Sequence, residues 1–237
     1  FSGNQQDARR LMKEAHLIKN LKHPHIPVIY DIEQNIGEDN DSICIIEEYI
    51  DGKSLRQYVH DETDTRGYLS VHEICRIGIE LCCILEYLHG YNGNGILHMD
   101  IKPDNIMLDK DGKVKLIDYD NAVEGNAGLT VESGSPLYAA PEQYNREKAV
   151  IQSDIYSLGM VILFMVSHGH IVTDENHKLS EISSRYSSLY HVINKSLHHE
   201  WGLRYSSVTY LKQELQSIMN WGGGTDEKLS YIIQVAG

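Results

Sequence analysis

His98-Met99-Asp100-Ile101-Lys102-Pro103-Asp104-Asn105, followed thirteen residues after Asn105 by Asp118-Tyr119-Asp120, is the stretch that decides the reading of this chain. Asp100, a lysine two positions on, an asparagine three further and a second acid beyond a short hairpin form a set with one chemistry in common. They supply a carboxylate that can orient a hydroxyl, a cation for a phosphate and two hard oxygens for Mg²⁺. The spacing therefore points to a phosphoryl-transfer centre.

Immediately outward, Ile106 to Leu108 and Val114 to Ile117 read as short strands, and Lys110-Asp111-Gly112-Lys113 between them contains the Asp-Gly step that favours a tight turn. The hairpin is what brings Asp118 back towards Asp100. Asp109 to Gly112 superficially resembles a calcium loop, but the alternating third acid and the terminal Glu are missing, so a plain turn is expected.

Upstream, Leu11, Ala15, Ile18 and Leu21 recur at helical steps, giving a helix over 7–21 that carries Glu14 and stops at His23-Pro24. Pro27 to Glu33 and Ser42 to Tyr49, rich in Ile, Val and Tyr, read as two paired strands across a Gly/Asp/Asn turn. Ser70-Val71-His72-Glu73 is a capping box, and Ile74, Ile77, Leu81, Leu85 and Leu88 behind it mark a long helix ending in the loop 90–95.

Downstream, Ile155, Leu158, Val161, Ile162 and Met165 predict a very apolar helix at the centre of a helical lobe. Two more helices follow, one carrying Leu189, Val192, Ile193 and Leu197, the other Val208, Leu211, Leu215 and Ile218. A Gly-rich joint at 222–224 precedes a short apolar tail.

With 237 residues, 27.0 kDa and 41% hydrophobic residues, the chain can bury a sizeable core. A formal charge of -13 and a pI near 5.4 argue against a nucleic-acid partner or an anionic membrane surface. The longest apolar run, Met160 to Val166, is far short of the ~20 residues a membrane span needs. Cys44, Cys75, Cys82 and Cys83 form no CxxC pair, which suits a reducing compartment, and a cytoplasmic location is expected. The histidine pairs 168/170 and 198/199 lack the second ligand pair of a zinc site.

At this point the chain resembles the eukaryotic-type serine/threonine protein kinases. HMDIKPDN is similar to that family's HRDxKxxN loop, and DYD stands in the place of DFG. Gly134-Ser135-Pro136-Leu137-Tyr138-Ala139-Ala140-Pro141-Glu142 resembles the substrate-clamping loop that ends in Ala-Pro-Glu, which small-molecule kinases lack. Asp154-Ile155-Tyr156-Ser157-Leu158-Gly159 resembles the helix start that braces the catalytic loop. Glu142 then has an expected structural partner in Arg204, and the Ala-Pro-Glu-Gln-Tyr wording is similar to bacterial members. The resemblance implies an α+β, kinase-like fold. A partial N-terminal lobe over 1–50, one helix and two strands, would precede a mostly helical C-terminal lobe over 51–220 and a tail over 221–237.

It also implies roles. Asp100 would be the catalytic acid, Lys102 the phosphate cation, and Asn105 and Asp118 the Mg²⁺ ligands, with ATP as donor and a protein serine or threonine as acceptor. Lys102 with Ser135 is similar to the Ser/Thr-specific pattern. Glu48 to Ile50 would be the hinge that pairs with adenine, Ser54 a ribose contact and Met107 the adenine floor. Glu14 would pair with a phosphate-binding lysine on an earlier strand. That strand and its Gly-rich loop do not lie between Phe1 and Glu14 and are expected ahead of Phe1. The alternative is a protein built without them, a pseudokinase or incomplete fragment acting as a binding module. Without that strand, the edge of the strand 42–49 would be unpaired and prone to self-association. Met99 replaces the arginine that pairs with a phosphorylated loop, Asp120 replaces a glycine, and Glu47 places a carboxylate, expected to be buried, behind the adenine pocket.

Overall fold

The computed structural model describes residues 12, 17–34, 43–125, 135–145, 149–170 and 186–221. Glu14, Leu11, Ala15, Ser42, Thr130, Ser133, Gly134 and the tail 222–237 lie outside them. The helix read over 7–21 is represented by residues 12 and 17–19, and its apolar face does point inward, since Ile18 and Leu21 are buried.

Strands β1 (Ile29–Gln34) and β2 (Ile43–Glu47) pair antiparallel, with an irregularity between Ile29 and Asp31. Glu47 ends this sheet exposed rather than buried, because β2 shows that side chain to the cleft and not to the core. Partial desolvation still raises its carboxyl pKa. A second sheet has the order β3 (Gly52–Ser54), β5 (Ile106–Asp109), β6 (Val114–Leu116), and a two-stranded ladder joins β4 (Ile96–Leu97) to β7 (Val123–Glu124). The β5–β6 turn uses Gly112 at φ +75°, and Asp109 Oδ1 accepts from Asp111 N and Lys113 N, each at 2.9 Å. Leu116 N donates to His25 O at 3.0 Å, which ties the segment ahead of β1 to this second sheet.

Helix α1 (Leu55–Arg66) follows β3 without a loop. It buries only Leu55 and Val59, so it has almost no apolar stripe. Its start is fixed instead by a capping box: Ser54 Oγ accepts from Gln57 N and Gln57 Oε1 accepts from Ser54 N, both at 3.2 Å. Helix α2 (Val71–His89) opens with the expected Ser70–Glu73 box and buries the predicted Ile74, Ile77, Leu81, Leu85 and Leu88.

The short α3 (Pro141–Tyr144) leads to α4 (Ile151–Val166), which is buried on all sides from Ser153 to Val166 and runs through the centre of the core. Helices α5 (Ser187–Ser196) and α6 (Val208–Trp221) pack around α4 and α2. Gly159 permits the α4–α5 approach: a Cβ there would meet Ser196 Cβ at 2.6 Å. Gly78 does the same for α2 against Leu215 of α6. One apolar core runs from Ile18 and Ile29 through β5 and β6 to α6. No helix among the described residues is long and apolar enough to cross a membrane.

Candidate active site

The loop between β4 and β5 is suspended from the start of α4. Asp154, fully buried in the first turn of that helix, accepts from His98 N at 3.0 Å, Met99 N at 2.9 Å and His89 Nε2 at 2.8 Å. Burial pushes this carboxyl up, but the bonds from His89 and the loop amides outweigh it and hold it below its ordinary value. Met99 takes φ +65°, a turn that aims the next residue into the site. Its carbonyl accepts from Gln143 Nε2 at 3.0 Å, while Gln143 Oε1 accepts from Ala140 N at 2.9 Å. Gln143, buried in α3, thus couples the clamping loop to the catalytic loop.

Asp100 is gripped on both oxygens. Oδ2 accepts from Lys102 Nζ at 2.7 Å and Asn105 Nδ2 at 3.2 Å, and Oδ1 accepts from Ser135 N at 3.1 Å. Burial opposes its ionisation, yet Lys102 and Ser135 keep the carboxyl pKa lowered, so it is a carboxylate at neutral pH. Lys102 Nζ also donates to Ser135 Oγ at 2.8 Å. Burial lowers the His98 pKa, and its neutral ring packs on Tyr119 at 4.7 Å between centroids.

Asn105 closes the 3₁₀ turn Pro103–Asn105 and gives its amide to Asp100 O at 2.9 Å. With both amide donations directed at Asp100, its carbonyl oxygen is the acceptor left over. Ile117 N donates to Asn105 O at 2.9 Å, which fixes the segment before Asp118 against this turn. Asp118 itself takes φ +63°, so the left-handed residue of DYD is the first acid and not Asp120, where the sequence directs attention. A magnesium ion fits this donor set, since it takes one or two protein oxygens and keeps water and phosphate for the rest. No group of three His, Cys, Asp or Glu suited to a metal occurs among the described residues.

A cleft of about 460 Å³ brings together Glu47, Glu48, Ile50, Met107 and Asp118. Glu48 N is already donated to Val28 O at 2.8 Å, so that amide is committed within the sheet. The Glu48 side chain receives Lys115 Nζ at 2.7 and 2.9 Å and Val28 N at 3.2 Å. Ser54 does not line this cleft, and its hydroxyl already accepts the helix-capping bond. Met107 pairs with Ser54 across β5 and β3. Lys115, His89 and Gln143 escape sequence reading because each acts through a partner far along the chain. Gln143 at least stands within the Ala-Pro-Glu-Gln-Tyr stretch.

The expected pair of Arg204 and Glu142 closes at 2.7 and 2.8 Å, and Ser153 Oγ adds a bond to Glu142 at 2.7 Å. It lies away from the cleft and braces the end of the clamping loop.

Against known proteins, residues 2–224 match the family described as protein kinase domain. The chain is 32% identical over 171 residues to a probable serine/threonine-protein kinase of Clostridium perfringens, covering 70% of this chain and 23% of that protein. It is 32% identical over 184 residues to the serine/threonine-protein kinase PrkC of Bacillus subtilis, covering 76% and 26%. With serine/threonine-protein kinase Nek2 of Homo sapiens it shares 33% over 166 residues, covering 68% and 37%. The chain therefore spans about a quarter of the length of the two bacterial relatives.

Proposed function

Because this chain belongs to the serine/threonine protein kinase family, we propose that it transfers the γ-phosphoryl group of ATP to a serine or threonine hydroxyl of a protein. The observation that carries this is the grip on Asp100: an ionised acid held by Lys102, Asn105 and the Ser135 amide, with one oxygen facing each flank. Asp100 orients the acceptor hydroxyl and takes its proton as the oxygen attacks phosphorus. Lys102, which bridges Asp100 and Ser135, would neutralise charge on the group in transit.

Asn105 and Asp118 would hold Mg²⁺, which supplies charge neutralisation at the phosphates. Glu48 and Ile50 would present backbone groups to adenine, and Met107 would floor it. Ser54, committed to its cap, could add only its hydroxyl proton to a ribose. Glu14 would pair with a phosphate-binding lysine. The reading divides the chain into a partial N-terminal lobe over 1–50, a mostly helical C-terminal lobe over 51–220 and a tail over 221–237, and its four free cysteines suit the reducing cytoplasm. The edge of β2, which among the described residues pairs only with β1, would favour self-association.

The test is transfer of labelled γ-phosphate from ATP, with and without Mg²⁺, to serine and threonine peptides. Asp100→Ala and Asp118→Ala should each remove at least about three decades of rate. Nucleotide binding without any transfer would overturn the enzyme reading in favour of a binding module.

A further inference from the structure

A groove of about 670 Å³ opens beside the catalytic loop, with Arg56, Lys102, Asp104, Asn105, Pro136 and Leu137 among the residues that line it. The loop thus lends this groove an acid, Asp104, for which the phosphotransfer chemistry has no use. Such a carboxylate, its side chain 48% exposed, would by itself draw a basic residue of any acceptor segment lying across Asp100.

Asp104 does not stand by itself. Arg56, in the first turn of α1, donates Nε to Oδ1 at 2.7 Å and Nη2 to Oδ2 at 2.8 Å, a two-point fork that engages both carboxylate oxygens. The Arg56 guanidinium is the main reason the Asp104 carboxyl is held below its ordinary value. The fork is fixed from behind, because the guanidinium lies 5.2 Å from the ring centroid of Phe164, a buried residue of α4. It is fixed along the chain by the Ser54–Gln57 box, which sets where α1 begins. Of the charged residues lining the groove, Arg56 is paired with Asp104 and Lys102 with Asp100, so an incoming cation meets no unpaired carboxylate among them.

We infer that the Arg56–Asp104 pair is a specificity device: it makes the acceptor groove reject lysine and arginine beside the acceptor hydroxyl and admit uncharged or acidic side chains along Leu137. The inference rests on the reading of Asp100 as the phosphotransfer centre. Its logic is repulsive, since a guanidinium already in place excludes a second cation and denies it the Asp104 carboxylate.

The experiment compares serine peptides that carry Ala, Glu or Arg at each flanking position. Arginine at one position should lower kcat/KM roughly tenfold relative to alanine. Arg56→Leu should abolish or reverse that preference by releasing Asp104. Asp104→Asn should sharpen the preference for glutamate, and the double variant should be indifferent to charge. A wild-type preference for arginine, or ratios unmoved by Arg56→Leu, would overturn the inference. The same peptides with alanine in place of the acceptor serine, photo-crosslinked to the protein without nucleotide, separate the two readings. No transfer to any peptide counts against the kinase reading, whereas crosslinking ratios that ignore Arg56 count against the charge device.

Discussion

Arg204 reaches back 62 residues to place two guanidinium nitrogens on the two oxygens of Glu142, with both side chains shut away from water. Arg204 also donates to the carbonyls of His198 at 2.7 Å and Gln152 at 2.9 Å, and its guanidinium lies 4.8 Å from the Tyr156 ring centroid. The pair therefore binds the end of the clamping loop, the start of α4 and the segment after α5 into one unit.

Removing either partner leaves the other charge buried without a counterpart. Glu142→Ala should cost about 3–5 kcal/mol of stability, and Arg204→Lys should also destabilise because an ammonium cannot reproduce the fork. Urea unfolding monitored by circular dichroism measures both.

Acid should act through the same carboxylates. Burial pushes Glu142 up, but the bonds from Arg204 and Ser153 outweigh it and depress the folded pKa below the ordinary 4.5; Asp154 lies below 3.8 in the same sense. Groups depressed on folding contribute fully above their unfolded values and lose that contribution as pH falls through the folded ones. Stability should thus be flat near neutrality and fall below about pH 4.5. Glu142→Gln should flatten part of that fall in a series of urea titrations.

Phosphorylation of Thr130 or Ser133 should not activate the protein through the residue ahead of Asp100. Met99 is buried against Leu97, Val123 and Ala149, and a thioether offers nothing to a phosphate. Rates of phosphorylated and unphosphorylated protein, each with and without Met99→Ala, decide the matter. A large gain that Met99→Ala abolishes would contradict the expectation.

Lys115 should matter for nucleotide affinity although it does not itself line the cleft. It holds the Glu48 carboxylate, and Glu48 N and Oε2 in turn hold Val28, so the backbone at the cleft mouth depends on it. Lys115→Met should weaken binding of a fluorescent ATP analogue by about tenfold, the ~1.4 kcal/mol of one charge-assisted bond.

Concentration should drive association through the β1–β2 sheet. Val28, Tyr30 and Ile46 are exposed there, and among the described residues β2 pairs only with β1. Light scattering across a concentration series should show a rising mass that Ile46→Lys suppresses; a constant monomer mass would count against it.

The catalytic loop, the β5–β6 hairpin and helices α2, α4, α5 and α6 are legible because each carries a strong local signal: a fixed motif, an Asp-Gly turn or an apolar period. The Glu142–Arg204 pair is legible through resemblance. Helix α1 is not, because Leu55 and Val59 are its only buried residues, and the box that marks it, Ser54 to Gln57, competes with reading Ser54 as a ribose contact. The exposure of Glu47 and the left-handed turn at Asp118 depend on neighbours brought in from elsewhere. So do the pairings of Lys115 with Glu48 and Arg56 with Asp104, 67 and 48 residues apart. No window of sequence contains them.

Asp154 gives these parts a common fate. The amides of His98 and Met99 hang on a carboxylate in the most deeply enclosed helix of the protein, so neither can detach unless α4 is breached. Heat should not loosen the catalytic loop ahead of the rest. Loss of turnover and loss of fold should coincide on warming, and these two amides should be among the last to exchange their hydrogens with solvent.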